Sequence, residues 1–132
     1  MLLLLLLLLF LLLLLLVERV EEIEDGVSIV EALAATGLRS VRYIKEVYAL
    51  NKIIANDLDP KATELINMNF QFNGIDVQDV EKYAVTTEDA CALLNRLQHA
   101  KQFYDVVDID PYGTAIPFLD SSIQALANNG KE

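Results

Sequence analysis

The chain has 132 residues, enough for one compact domain, and carries ten Lys and Arg against twenty Asp and Glu, a net charge of −10. A surface so acidic does not attract phosphate backbones, which excludes a basic nucleic-acid-binding face on these residues. The single cysteine, Cys91, excludes an internal disulfide, and one cysteine with one histidine, His99, excludes a cysteine-based zinc site and a metal cluster. Cys91 lies in the apolar run at residues 90–94, which favours a thiol packed in the core.

Residues 1–17 are apolar and almost entirely leucine. A membrane-spanning helix needs about twenty apolar residues, and the tract lacks the basic start and small-residue cleavage site of a signal peptide. The residues that follow are mostly acidic, so they lack the excess of Lys and Arg that marks the cytoplasmic side of a membrane helix. We interpret residues 1–17 as an artefact of the coding sequence or an unstructured appendage, with a short single-pass membrane anchor as the alternative. Residues 18–132 form the predicted domain.

Predicted strands and helices alternate along that domain. Short apolar runs predict strands at residues 27–32, 52–56, 81–85 and 103–109, the last as a buried central strand. Helical patterns occupy residues 41–50, 60–73, 90–99 and 118–127. Repeated strand–helix units indicate an α/β fold, a Rossmann-like parallel sheet with helices on both faces. Because such a sheet needs more strands for its second half, we expect the chain to be truncated after the fourth strand–helix unit.

Local signals fix several helix ends and core positions. Asp59 is a predicted N-cap, Pro60 a favoured first residue, and Gly74 a left-handed stop. Four residues of the second helix are expected to supply apolar bulk: Leu65, Met68, Phe70 and Phe72. Three leucines of the third helix have core spacing: Leu93, Leu94 and Leu97. The fourth helix is expected to stop at residues 128–130.

The most informative motif is the hexapeptide at residues 108–113, Asp-Ile-Asp-Pro-Tyr-Gly, which ends the fourth strand. Ligands of open α/β sheets bind outside the carboxyl ends of the strands. There, Asp110 and a backbone carbonyl can accept hydrogen bonds from the N–H groups of an exocyclic amine, while Tyr112 stacks on a flat base. The structural alternative is an Asp-Pro turn, at Pro111, with a buried tyrosine.

Acidic residues follow the other strand ends. The first strand-to-helix turn offers Ala34, Ala35 and Gly37 rather than a full Gly-x-Gly-x-x-Gly, which argues against NAD. Asp57 lies twenty residues after Gly37, where a carboxylate can accept both ribose hydroxyls of an adenosine. Asp89 follows the third strand, where it could meet the adenine amino group. The structural alternatives are helix capping by Asp57 or Asp89, and a solvated loop charge for Arg39.

Three blocks, at residues 31–42, 55–57 and 108–120, resemble the S-adenosylmethionine-dependent tRNA (guanine-26-N2)-dimethyltransferases. The likeness runs from Gly26 to Gly130 and implies a class I methyltransferase sheet with S-adenosyl-L-methionine as cofactor. It implies methyl transfer to the N2 amine of a guanine in tRNA, twice in succession. Residues matching the family's cofactor contacts are Gly37, Arg39, Asp57, Asp89 and Ala90. Asp110 matches the catalytic carboxylate, and Pro111 and Tyr112 match the rest of the amine pocket.

The sequence also departs from the family. Family members carry an arginine-containing segment before the first strand, where this chain has the leucine tract, and they continue into a separate tRNA-binding domain. The resemblance thus implies tRNA as partner, held mainly through a missing C-terminal domain, and a location in the nucleus or mitochondrion. The alternatives are a methyltransferase of adenine or protein amines, an inactive fragment or scaffold of the same fold, and a small membrane-anchored protein.

Overall fold

The computed structural model describes residues 26–127, whose strands form one parallel sheet in the order β3-β2-β1-β4. The strands are β1 (Val27–Glu31), β2 (Leu50–Asn56), β3 (Tyr83–Thr86) and β4 (Val106–Asp108). The helices are α1 (Leu38–Glu46), α2 (Pro60–Phe72), α3 (Ala90–His99) and α4 (Leu119–Ala125), with a 3₁₀ turn at Ile116–Phe118. The predicted alternation of strands and helices is confirmed. The predictions for residues 1–17 and 128–130 lie outside the described residues.

Two hydrophobic clusters cover the two faces of the sheet. On one face, α3 and α4 pack Leu93, Leu94, Leu97 and Ala125 against Val30 and Ile54. On the other face, α1 and α2 pack Val41, Ile66 and Phe70 against Ala34 and Ala55. β1 and β2 are buried between these layers, so the carboxyl ends of the central strands are held rigidly. The prediction of helices on both faces is confirmed, as are the three core leucines of α3.

The first helix is displaced from its predicted position at residues 41–50. α1 begins at Leu38 because Gly37 adopts a left-handed φ of 72° and its carbonyl accepts the N–H of Val41. The helix ends at Glu46, since the chain turns through Ala49, which has a φ of 57°, into β2. Arg39 therefore sits in the first turn of a helix and not in a loop.

The caps of α2 are as predicted, but its buried face is not. The Asp59 carboxylate accepts the N–H of Lys61 at 2.9 Å, Pro60 is the first helical residue, and Gly74 has a φ of 72°. The buried positions follow helical spacing and are Thr63, Ile66 and Phe70. The expected core roles of Leu65, Met68 and Phe72 are wrong, because these residues lie on the opposite side and are exposed.

Two further predictions, one for β4 and one for Cys91, are corrected by the structure. β4 pairs with β1 over only three residues, so the strand predicted at 103–109 is too long. β4 forms the edge of the described sheet. Val106 is exposed, and Tyr104 is joined to Leu126 by an isolated bridge. Cys91 is half-buried with its Sγ 3.4 Å from the Pro117 carbonyl oxygen, outside both core clusters, so a core thiol is also wrong.

Smaller shifts affect the ends of other elements. The third strand is displaced from residues 81–85 to Tyr83–Thr86, and the last helix is preceded by a separate 3₁₀ turn. Among the helices of residues 26–127, none combines the length and apolarity that a bilayer span requires.

Candidate active-site cleft

An open cleft of about 750 Å³ lies at the carboxyl ends of the strands. Its walls come from the end of β1, the turn into α1, the residue after β2, and the segment between β4 and α4. The polar side chains on its lining are Glu31, Thr36, Arg39, Asp57, Asp110, Tyr112 and Thr114. The volume and position are those of a small-molecule site in an open α/β sheet.

Arg39 lies at the centre of a cluster of three carboxylates. Its Nε is 3.2 Å from Glu31 Oε1 and 3.5 Å from Asp108 Oδ2, and its Nη1 is 3.0 Å from Asp110 Oδ2. The guanidinium is therefore held on one side by the sheet and on the other by the segment after β4. The alternative of a solvated loop charge is wrong for Arg39.

Glu31 is the buried member of this cluster, and sequence reasoning gave it no role. The side chain of this last residue of β1 is almost inaccessible to water and accepts hydrogen bonds from Ser40 Oγ and Arg39 Nε. Burial raises the pKa of the Glu31 carboxyl, although the hydrogen bonds from Ser40 and Arg39 act in the opposite direction. A glutamate that ends an otherwise apolar strand, just before a small-residue turn, was the signal available in the sequence.

Asp108 supports Arg39 from within the sheet. Tyr43 Oη on α1 donates a hydrogen bond of 2.8 Å to Asp108 Oδ2, whose side chain is 15% exposed. Burial and this hydrogen bond raise the pKa of Tyr43 to about 12, so the phenol keeps its proton. Tyr43 therefore links α1 to β4 beneath the cleft, a role that the sequence did not reveal.

Asp110, Pro111 and Tyr112 all line the cleft. The Asp110 side chain is 67% exposed, far more than that of Asp108, because it lies beyond the last paired residue of β4. The Tyr112 ring is fully exposed, so the alternative of a buried tyrosine in an Asp-Pro turn is wrong. An accessible carboxylate and an uncovered aromatic ring thus share one wall.

Asp57 ties the end of β2 to the first turn. Its Oδ2 accepts the N–H of Ala35 at 2.9 Å, and its Oδ1 accepts the N–H of Asp59 at 3.0 Å. Each carboxylate oxygen has further lone pairs that can accept ligand hydroxyls from the cleft. Gly37 supports the same turn from behind, since a Cβ there would lie 2.9 Å from Ile66 Cγ2.

Asp89 and Ala90 do not line this cleft. The Asp89 carboxylate caps α3 by accepting the N–H of Ala92 at 2.9 Å, and Ala90 is buried in the core. The buried Asn56 holds their loop in place, because its Nδ2 donates to the carbonyls of Ala32 (3.0 Å) and Glu88 (2.9 Å). The geometry therefore brings Arg39, Asp57 and the 110–112 segment together and leaves the α3 N-terminus outside. The role of Asn56 was missed by sequence reasoning.

Comparisons with known proteins agree with this architecture. The family model for N2,N2-dimethylguanosine tRNA methyltransferase matches residues 8–131. The tRNA (guanine(26)-N(2))-dimethyltransferase of Schizosaccharomyces pombe is 43% identical over 106 residues, which are 80% of this chain and 18% of that protein. The protein of that name from Pyrobaculum arsenaticum is 41% identical over 105 residues, 80% of this chain and 27% of the relative. The chain thus spans less than a third of the length of these relatives.

Two solved structures superpose on most of this chain. Trm1 from Pyrococcus horikoshii, solved with S-adenosyl-L-methionine, superposes with a TM-score of 0.66 at 26% identity, covering 75% of this chain and 28% of that one. A SAM-dependent methyltransferase from Agrobacterium tumefaciens, 17% identical, gives a TM-score of 0.64 over 83% of this chain and 38% of that chain. The predicted Rossmann-like methyltransferase fold is confirmed. The chain belongs to the N2,N2-dimethylguanosine tRNA methyltransferase family.

Proposed function

We propose that this chain supplies the cofactor site and amine pocket of an enzyme that methylates the exocyclic N2 amine of guanine 26 in tRNA, with S-adenosyl-L-methionine as methyl donor. The observation that carries the proposal is the convergence of Arg39, Asp57 and Asp110 on one cleft. These residues present a cation and two carboxylates beside the exposed ring of Tyr112. Family membership adds the reaction named for the relatives.

The cleft residues fit the proposed cofactor chemically. Asp57 can accept the two ribose hydroxyls, because its oxygens have lone pairs beyond those that bind Ala35 and Asp59. Arg39 can bind the carboxylate of the amino-acid end. Asp89 and Ala90 lie outside the cleft lining but at the same carboxyl edge of the sheet, and we propose that the adenine ring extends beyond the cleft to contact them. The solved relative from Pyrococcus horikoshii was obtained with this molecule.

Methyl transfer would depend on positioning. The bound cofactor supplies an electrophilic methyl group on its sulfonium. Guanine N2 is a poor nucleophile because its lone pair is delocalised into the ring. A hydrogen bond from the amine N–H to Asp110 would favour the form in which the lone pair is localised on nitrogen, as positive charge develops there. Holding the amine in line with the methyl can contribute about 7–11 kcal/mol.

Tyr112 and Pro111 would complete the amine pocket. The Tyr112 ring is uncovered, so a guanine can stack on it without displacing a protein group. A ring near the sulfonium also adds a cation–π contact of about 0.5–2 kcal/mol. Pro111 fixes the backbone between the carboxylate and the ring and so sets their spacing.

We propose that tRNA is held mainly by polypeptide outside these residues. The net charge of −10 disfavours a phosphate backbone, and the chain matches only 18% and 27% of the lengths of the Schizosaccharomyces pombe and Pyrobaculum arsenaticum relatives. On the resemblance to the family, we propose a location in the nucleus or mitochondrion, and a relative from Saccharomyces cerevisiae is named as mitochondrial.

The test is a chimera in which residues 26–127 replace the matching segment of the Pyrobaculum arsenaticum relative. It should methylate a tRNA transcript with guanine at position 26 and leave a transcript with adenine there unmodified. Mass spectrometry of the nucleosides should show N2-methylated guanosine. Transfer to the adenine transcript or to protein would contradict the assignment, as would a folded but inactive chimera beside an active parent.

A further inference from the structure

Resting on the proposed function, we propose that the ion pair between Arg39 and Asp110 is a latch that the cofactor opens. The carboxylate of the cofactor would take the place of Asp110 on Arg39. Asp110 would then be released to accept the amine of the guanine, so the cofactor would prepare the base pocket.

The geometry divides the contacts of Arg39 into two kinds. Its Nε faces Glu31 at 3.2 Å and Asp108 at 3.5 Å, and the side chains of these two acids are only 2% and 15% exposed. Its Nη1 contacts Asp110 at 3.0 Å, and that side chain is 67% exposed. The first contacts anchor the guanidinium to the sheet, whereas the third can exchange, because exposed ion pairs are weak.

Competition for Arg39 follows from the charges on the cleft. Among the lining residues, all within the described range 26–127, Arg39 is the only cation. An amino-acid carboxylate that enters the cleft therefore has this guanidinium as its charged partner, and Asp110 already contacts it. Two carboxylates bound to the same Nη1 repel each other, so binding of the ligand favours departure of Asp110.

Departure of Asp110 would change what the base encounters. While Asp110 contacts Arg39, its carboxylate is partly neutralised and is a poorer acceptor for an uncharged amine. Once released, the carboxylate lies on the same wall as Pro111 and Tyr112 with its acceptor capacity restored. Cofactor and base would then bind with positive coupling, which by linkage must be reciprocal.

The test uses the full-length chain and two nucleosides that differ in the amino-acid end. S-adenosylhomocysteine carries the carboxylate, whereas 5′-methylthioadenosine lacks it, and calorimetry gives the affinity of each for wild type and Asp110→Ala. Asp120→Ala is the matched control, an exposed acid on α4 whose carboxylate accepts a 2.8 Å hydrogen bond from Gln124. Circular dichroism checks that each variant keeps its helices.

The latch predicts that Asp110→Ala binds S-adenosylhomocysteine roughly two- to fivefold more tightly than wild type, the effect of removing one exposed ion pair. Affinity for 5′-methylthioadenosine should stay the same, and Asp120→Ala should change neither. Unchanged or weaker binding of S-adenosylhomocysteine would overturn the latch, as would equal tightening of both nucleosides. If neither nucleoside binds wild type, the proposed function fails and the latch with it.

Discussion

The two ends of β4 carry the same residue type in different surroundings. At the amino end, Asp105 Oδ2 accepts hydrogen bonds from the backbone N–H (2.7 Å) and the Oγ (2.6 Å) of Ser28. At the carboxyl end, Asp108 and Asp110 both lie within 3.5 Å of Arg39. One carboxylate is thus held by neutral donors of the neighbouring strand, and the other two share a cation at the cleft.

This difference separates a carboxylate that joins two strands from two carboxylates that share Arg39. The Ser28 contacts join β1 to β4 at the edge of the sheet that lies away from the cleft, so Asp105 is not placed to contact a ligand in the cleft. Asp110 has one exchangeable partner and lines the cleft. Parallel strands place all their carboxyl ends at the same edge, which explains why the cleft lies at one end of β4.

The largest expected effect concerns turnover. In the chimera, Asp110→Ala should lower guanine methylation by a factor of about 10² or more, because it removes a preorganised partner of the amine. Asp105→Ala should leave the turnover of folded enzyme within a few fold. Initial rates at saturating cofactor measure both. Near-normal turnover of Asp110→Ala would remove the distinction between the two ends of β4.

A smaller effect is expected on cofactor affinity. Asp57→Ala should weaken binding of S-adenosylmethionine by about 1.5–3 kcal/mol, the range for hydrogen bonds to a charged group. Asp59→Ala, two residues on, is the control and should mainly destabilise α2, by about 1 kcal/mol. Calorimetry and denaturant unfolding distinguish the two losses. Equal affinity for wild type and Asp57→Ala would exclude Asp57 from the site.

For stability, we expect the opposite order to that for turnover: Asp105→Ala should have a larger effect than Asp110→Ala. Asp105→Ala removes both acceptor contacts with Ser28 and should lower the free energy of unfolding by about 1–2 kcal/mol. Asp110→Ala should change it by less than about 0.5 kcal/mol, since its side chain is exposed. Urea unfolding of the two variants measures this. Equal losses would show that the ends of β4 do not differ structurally.

Glu31, at the cleft, should make the free energy of unfolding depend on pH. Because burial raises its pKa above 4.5, the folded chain retains a proton that the unfolded chain loses. The contribution of Glu31 to the free energy of unfolding should therefore decrease as pH rises from 4.5 to the raised pKa, by at most about 1.4 kcal/mol per pH unit. Glu31→Gln should flatten this slope, whereas Glu64→Gln, exposed on α2, should retain it. Urea titrations across this range check the prediction, which an unchanged slope in Glu31→Gln would contradict.

Sequence reasoning succeeded where a local signal decides the structure. Asp59 with Pro60 and Asp89 before Ala90 mark helix starts by capping, and both starts were predicted correctly. The expectation that Asp57 and Asp110 follow strand ends at one edge of the sheet needed only the parallel order of strands. The capping features depend on residues close to one another in the chain, and the shared edge follows from the repeated strand–helix units.

The missed features depend on how the strands and helices pack against one another. The length of β4 is set by its three-residue pairing with β1. Phe72 is exposed because the other side of α2 packs against the sheet. Likewise, burial of Glu31 depends on Arg39 and Ser40 in the next helix. Apolar periodicity does not contain this information, since Phe70 and Phe72 are the same residue type two positions apart.

The most direct test of the account is a crystal structure of the chain with S-adenosylhomocysteine. We predict the nucleoside in the cleft, with both ribose hydroxyls within hydrogen-bond distance of the Asp57 carboxylate and the amino-acid carboxylate on Arg39. A nucleoside bound elsewhere, or bound in the cleft without contact to Asp57, would contradict the proposal that the carboxyl ends of these strands form the cofactor site.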